Sequence, residues 1–145
     1  MTAHEALDAY AAFFEGLSPA SLPRLDALCT PEVRFRDPFN DVRGVAQFRA
    51  VLAKMFHDVA EPRFEVTDRA ISSRACYLRW TFTFRGAGSH EGPRRIEGVS
   101  EIHLNAAGKV IAHIDHWDAG AQIYEQIPVL GSLVRMVKRR LSAAR

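Results

Sequence analysis

The chain of 145 residues lacks most of the features that mark specialised classes of protein. Its two cysteines, Cys29 and Cys76, lie far apart and match no metal-ligand spacing, which predicts reduced core thiols rather than a disulfide or a metal centre. No apolar run is long enough to cross a bilayer, and the first residues do not resemble a signal peptide, so we expect a cytoplasmic protein. No nucleophile motif or phosphate-binding glycine pattern is present.

Acidic residues are absent from the end of the chain. Residues 126–145 carry five Lys and Arg residues and no acid, whereas residues 1–125 carry 14 Lys and Arg against 17 Asp and Glu, a net charge of −3. The basic character therefore belongs to the tail and does not spread over a face of the domain, which argues against nucleic acid as a partner. We expect one domain over 1–125 and a basic amphipathic helix over 126–145.

Helical periodicity comes first in the chain. Thr2 and Glu5 form a capping-box pattern, and apolar residues in the segment 6–17 then recur at a spacing of three to four. A second, short helix is expected after Ser18, and a third over 44–62, where a proline ends the pattern. The first half of the chain therefore predicts three helices.

Strand periodicity follows the helices. Residues alternate between apolar and polar in four segments, 63–71, 75–84, 94–104 and 109–118. Helices first and strands afterwards indicate an α+β domain. We expect a curved antiparallel or mixed sheet, with the helices packed on one face and a conical cavity between the two layers.

Asp37 ends a further short strand, which precedes the third helix. Alternation along that strand places Asp37 on the same face as the apolar Val33 and Phe35. A carboxylate on an apolar face must be neutralised, paired or used in chemistry, because desolvation penalises the charged form. Two interpretations follow: Asp37 caps the turn that begins at Pro38, or it is a working acid in a buried site.

The last strand carries a second set of polar residues. His113, Asp115 and Trp117 share one face of this strand, and His116 points to the other, which argues against a metal site. A buried His and Asp beside Asp37 would suit proton transfer on a small ligand. In the alternative interpretation, His113 and Asp115 only satisfy each other in a polar pocket floor.

The element order, the block 30–39, Gly44 and the block 104–110 together resemble the nuclear-transport-factor-2-like superfamily, and in particular its SnoaL-like and ketosteroid isomerase-like domains. The resemblance covers residues 4–120. It implies a cone-shaped, cystatin-like α+β barrel whose cavity binds a small hydrophobic ligand, and a homodimer formed through the open sheet face.

Ketosteroid isomerase provides the residue correspondence. The resemblance places Asp37 at the isomerase's general base and Tyr10 at its oxyanion tyrosine. Ser100 stands where the isomerase has a protonated aspartic acid that donates to the substrate oxygen. A hydroxyl is the weaker donor, so steroid isomerisation by that same mechanism is not expected.

The predicted function is binding of a small hydrophobic molecule, with isomerisation, dehydration or cyclisation by general acid-base proton transfer next to a carbonyl. No cofactor or metal is expected. The predicted catalytic residues are Asp37, Tyr10, Asp115 and His113, and the predicted ligand-binding residues are Trp117, Trp80, Phe39, Phe56, Ser100 and Phe82. The alternative, which the missing third acid favours, is a non-catalytic ligand-binding or dimerisation module of the same fold.

The tail has three possible roles. Its apolar residues recur on one side of the predicted helix, as they do in an amphipathic helix. The helix could be a lid over the cavity, a subunit contact, or an anchor on an anionic membrane. Packing on the domain or on a partner subunit is the favoured expectation, because so short a helix binds lipid only marginally without a second signal. The stripe consists of Leu130, Leu133, Val134, Val137 and Leu141.

Overall fold

The computed structural model describes residues 1–86, 92–123 and 130–142, and these residues form helices packed against a curved, open sheet. The first helix begins with the predicted capping box, in which the Thr2 hydroxyl accepts from the Glu5 N–H and the Glu5 carboxylate accepts from the Thr2 N–H. Four helical segments precede the long strands: α1 (Ala3–Glu15), a 3₁₀ helix (Pro19–Arg24), α2 (Leu25–Leu28) and α3 (Val45–Asp58).

The sheet contains six strands in the order β2-β1-β6-β5-β4-β3. Strands β1 and β6 run parallel, and the other neighbouring strands pair antiparallel. This mixed sheet with its helices confirms the predicted α+β class. The strands are β1 (Cys29–Arg36), β2 (Asp41–Arg43), β3 (Val59–Ile71), β4 (Cys76–Gly86), β5 (Arg94–Leu104) and β6 (Val110–His116).

One predicted boundary is wrong. The third helix ends at Asp58 rather than near Pro62, and β3 begins at once and continues through the proline. Pro62 is tolerated because β3 is an edge strand, where a missing N–H need not break a ladder. The register to β4 also shifts between Ala60 and Arg63, and Glu61 between them has a positive φ of 51°.

The core lies between the helices and one face of the sheet. The apolar face of α1 is buried as predicted, and α3 packs on β1 and β3. The largest fully buried side chains come from both layers: Leu7, Tyr10, Leu25, Val33, Phe48, Ile102 and Val110. A tyrosine at the centre of such a core must have a polar partner, because a buried hydroxyl without one is costly.

Two helices follow the sheet, α4 (Ala119–Gln122) and α5 (Leu130–Leu141). The helix predicted for the tail is therefore confirmed as α5, whereas the predicted domain boundary at 125/126 lies outside the described residues. Within the described ranges, no helix combines the length and the apolar character that crossing a bilayer requires.

Candidate functional site

A chain of buried hydrogen bonds links α1 to three strands of the sheet. The Tyr10 hydroxyl lies 2.6 Å from Nδ1 of His113, and Nε2 of that ring lies 2.6 Å from Oδ1 of Asp115. The Ser100 hydroxyl lies 2.5 Å from the same carboxylate oxygen and accepts from Nε1 of Trp80 at 2.8 Å. Five side chains distant in sequence thus form one polar network in an apolar core.

Donor chemistry fixes the direction of the bonds that lead to Asp115. The indole of Trp80 can only donate, so Ser100 accepts from it and turns its own hydrogen to Asp115. An ionised Asp115 carboxylate can only accept, so Nε2 of His113 donates to it, and in a neutral ring Nδ1 is then the acceptor that faces the Tyr10 hydroxyl. Ser100 and His113 therefore both donate to Oδ1 of Asp115, and Trp80 donates to Ser100.

Burial explains why Tyr10 keeps its proton. Desolvation raises the pKa of the Tyr10 phenol well above its ordinary value, and neighbouring Cys29 and Asp115 raise it further. Burial also raises the pKa of the Cys29 thiol to about 12, although a hydrogen bond with Tyr10 opposes the rise. Both groups are neutral at physiological pH.

Strand register brings the polar residues together. Ser100 on β5 lies directly opposite Asp115 on β6, and the next inward pair along the two strands is Ile102 and His113. On the other side of β5, Trp80 of β4 lies opposite Gly98. Residues two apart on a strand share a face, so the whole set points toward the helices.

His113 is enclosed by aromatic rings. The ring centroids of Tyr10, Phe14, Phe35 and Phe48 lie 5.2 to 5.6 Å from the centroid of the imidazole. The His113 side chain is 4% exposed, against 18% for Asp115. Of the two ionisable side chains His113 and Asp115, Asp115 is therefore the one that solvent or a ligand can reach.

Asp115 also keeps one oxygen available. Both of its side-chain hydrogen bonds fall on Oδ1, and in the described part of the chain Oδ2 accepts none. A carboxylate with one oxygen held by two donors has a fixed orientation, while the other oxygen can still act as a base or accept from a ligand.

A small cavity adjoins this carboxylate. Its volume is about 40 Å³, well below the several hundred Å³ typical of sites for drug-sized molecules. Its wall is mostly apolar and its polar groups come from the network alone. The lining residues are Phe14, Phe35, Leu52, Phe64, Val66, Leu78, Trp80, Ser100, His113 and Asp115.

Asp37 lies outside this lining. Its Oδ1 accepts from the backbone N–H groups of Phe39 and Asn40 at 2.8 and 2.7 Å, and also from the Asn40 side-chain amide at 3.1 Å. The Asp37 N–H in turn donates to the Asn40 carbonyl. The structure thus shows the turn-capping contacts of the first interpretation, and among the described residues the Asp37 side chain forms no hydrogen bond with His113 or Asp115.

The predicted ligand-binding residues divide into two groups. Trp80 and Ser100 line the cavity. Phe39 and Trp117 instead contact each other edge to face, 5.6 Å apart, and Phe39 is 54% exposed. The prediction for Trp117 extended the alternation beyond the end of β6 at His116.

The other two aromatic residues predicted to bind ligand support the wall from outside the lining. Phe82 stacks on Phe64, with centroids 4.4 Å apart, and Phe56 packs against the hydrophobic core. The apolar lining residues were not predicted as site residues. Their positions on inward faces of helices and strands could have indicated them, but the same pattern also describes ordinary core residues.

No three His, Cys, Asp or Glu side chains of residues 1–86, 92–123 and 130–142 are grouped closely enough to hold a metal ion. Among the described residues, the Glu101 carboxylate on the opposite face of the sheet forms side-chain hydrogen bonds with His103 and His116.

A curved mixed sheet with helices across one face and a polar network beside an apolar cavity defines the α+β class of the fold. The SnoaL-like domain family matches residues 10–113 of the chain, and the chain belongs to this family. No protein of curated function matches the chain in sequence.

Solved structures of the same fold are similar over most of the chain. A ketosteroid isomerase-like protein from Catenulispora acidiphila, solved in complex with trimethylamine, aligns with a TM-score of 0.69 at 13% identity and covers 82% of this chain and 89% of that one. An NTF2-like protein of unknown function from Burkholderia pseudomallei gives 0.69 at 15% identity, covering 94% and 98%. An LEH-like epoxide hydrolase from M. tuberculosis gives 0.65 at 14% identity, covering 94% and 96%. At these identities the likeness concerns the fold alone.

Proposed function

We propose that this protein binds a small, largely apolar molecule in the cavity beside Asp115 and moves a proton on it by general acid-base catalysis. One observation carries the proposal: Asp115 lines an apolar cavity, and one of its oxygens is held by two donors while the other accepts no hydrogen bond from the described residues. A carboxylate in such a place is poised to accept a proton from a bound ligand.

The other members of the network act through Asp115. His113 and Ser100 hold the carboxylate, Trp80 orients the Ser100 hydroxyl, and Tyr10 fixes the tautomer of His113. Tyr10 is fully buried and bonded to His113, so we assign it a positioning role in place of the oxyanion role suggested by the resemblance.

The cavity restricts the ligand. Its apolar wall favours a hydrocarbon-like body, and the carboxylate favours a group with an acidic C–H, as found next to a carbonyl. Isomerisation, dehydration and cyclisation all begin with such a proton transfer. The fold's presence in an epoxide hydrolase-like enzyme and in a trimethylamine complex supports a ligand-binding role. A homodimer and a cytoplasmic location stay predictions.

The alternative is a ligand-binding or dimerisation module without catalysis. The observation in its favour is that the network satisfies its own donors, as a purely structural polar cluster would. The small cavity volume points the same way. The two functions differ in whether the free oxygen of Asp115 performs chemistry.

The test compares two isosteric substitutions. In Asp115→Asn, the amide oxygen can still accept from Ser100 and His113, while an amide NH₂ replaces the oxygen that accepts no hydrogen bond from the described residues. Asp37→Asn makes the same chemical change in the turn outside the cavity. Exchange of carbonyl-adjacent protons in D₂O is followed by NMR over a panel of small ketones and aldehydes.

We expect the unaltered protein to catalyse the exchange. The exchange rate should fall roughly 10²- to 10⁴-fold in Asp115→Asn and change little in Asp37→Asn. The reverse order of the two variants would restore Asp37 as the base and refute our assignment. Binding without exchange, detected as a shift of the Trp80 indole N–H signal, would support the non-catalytic module. If no compound binds, both proposed functions are refuted.

A further inference from the structure

The carboxyl-terminal helix α5 carries an apolar stripe that the domain leaves largely uncovered. Leu133 and Val137 are each 51% exposed and Leu141 is 82% exposed. Two contacts with the domain are visible in the described residues: Gly131 is buried, and Cγ1 of Val134 lies 3.8 Å from the place a Cβ on Gly120 of α4 would take. The sequence favoured packing on the domain or on a partner subunit, and within this chain the domain leaves the larger part of the stripe exposed. The α5 stripe is Leu130, Leu133, Val134, Val137 and Leu141.

The opposite side of α5 is basic. At 100° per residue, Arg135 and Arg139 fall on the side of the helix away from the α5 stripe, and Lys138 and Arg140 fall at its two borders. The helix contains no acid. An apolar stripe with cations on the other side and at the border is the pattern of a helix that lies in a membrane interface.

Three occupants could cover the α5 stripe, and charge and size separate them. Pairing with α5 of a second copy would bring two acid-free basic helices together, and one three-turn stripe offers much less area than the roughly 800 Å² per partner of a stable interface. Nucleic acid would engage the cations and leave the apolar residues uncovered. An anionic lipid surface accommodates both, because headgroups meet the cations and acyl chains meet the stripe.

We propose that α5 binds the surface of anionic membranes, with the α5 stripe in the headgroup boundary and the basic side toward the lipid phosphates. Binding is reversible and sensitive to salt, since a helix of this length supplies little apolar area and the electrostatic part is screened. None of the residues that line the Asp115 cavity belongs to α5, so the proposal is independent of the proposed function.

The experiment is co-sedimentation of the full chain with vesicles of phosphatidylcholine alone or with about one third phosphatidylglycerol. Val137→Asp places a charge in the stripe, and Arg139→Gln removes one cation from the basic side. Arg74→Gln, an exposed cation outside α5, is the matched control for net charge. Melting curves of each variant check that the fold is kept.

We expect binding to the anionic vesicles only, weakened when salt is raised from about 0.05 M to 0.5 M. Val137→Asp should weaken it more than tenfold and Arg139→Gln about fivefold, with Arg74→Gln unchanged. Three results would overturn the proposal: no binding to anionic vesicles at low salt, equal binding to neutral vesicles, or equal loss in Arg74→Gln. A dimer that Val137→Asp dissociates would assign the stripe to a second copy instead.

Discussion

Replacing Gly98 by alanine should disturb the site through Trp80, which lies across from it on β4. A Cβ on Gly98 would lie 2.6 and 2.7 Å from two carbons of the Trp80 ring, and 3.0 Å from the His116 carbonyl oxygen. Carbon atoms in contact normally sit about 3.5 to 4.0 Å apart, so the indole must retreat by about 1 Å. That movement would break the 2.8 Å hydrogen bond to Ser100.

The expected cost follows from these contacts. Overpacking of this kind costs about 1 to 3 kcal/mol, and loss of the hydrogen bond from Trp80 to Ser100 adds about 1 kcal/mol. We expect Gly98→Ala to lower the free energy of unfolding, measured in urea, by about 2 to 4 kcal/mol. In a Trp117→Phe background, the emission of Trp80, then the chain's one tryptophan, should shift as the indole moves.

Two comparisons make the argument refutable. Gly16→Ala is the matched control, because its Cβ would meet only the Ala12 carbonyl at 3.4 Å, and we expect a change within about 0.5 kcal/mol. Combining Gly98→Ala with Trp80→Phe removes the ring carbons that clash, so the double variant should lose less stability than the two single changes together. Unchanged stability and emission in Gly98→Ala would show that the contact does not hold Trp80 in place.

Three further predictions concern groups outside the cavity. Burial raises the pKa of Cys29 to about 12, so its alkylation by iodoacetamide at pH 8 should be roughly a thousandfold slower in the native protein than in urea; equal rates by mass spectrometry would contradict this. Hydrogen bonds from His103 and His116 lower the pKa of Glu101, and a lowered carboxyl pKa stabilises the fold above the ordinary value and loses that effect as the pH falls through the lowered value. Glu101→Gln should therefore be less stable than the unaltered protein at neutral pH, with a gap that closes as the solution is acidified through the lowered pKa, and a gap of constant size in acid melting curves would refute the link. Asp37→Ala should cost about 1 to 2 kcal/mol in thermal melts because the turn loses its acceptor, whereas Asp37→Asn should cost less; equal losses would deny the capping role.

The sequence predicted those parts of the fold and site that depend on periodicity. Alternation along β6 placed His113 and Asp115 on one inward face, and both line the cavity. Trp117 follows the end of β6 at His116 and contacts Phe39, so its place in the site stays a prediction.

The sequence could not predict which atoms become hydrogen-bond partners. It left two roles open for Asp37, and the structure shows the contacts of one of them, because backbone N–H groups of its own turn donate to the carboxylate. Tyr10 was predicted to face a ligand, yet its hydroxyl bonds His113, which is 103 positions away. Periodicity gives the face of a residue, and only the packing of α1 against the sheet decides which atoms meet there.

The parallel pairing of β1 with β6 has a consequence for how the protein folds. β1 lies near the start of the chain and β6 near its end, so closing this pair requires a loop of about 80 residues to be ordered first. During synthesis, β3, β4 and β5 can form hairpins with their neighbours as they emerge, whereas β1 can pair with β2 on one edge but must wait for β6 on the other. The contact between Tyr10 and His113 spans a longer interval of 103 residues and also requires β6, so the site is completed only after β6 is in place, and a chain interrupted before β6 leaves a strand edge open to association.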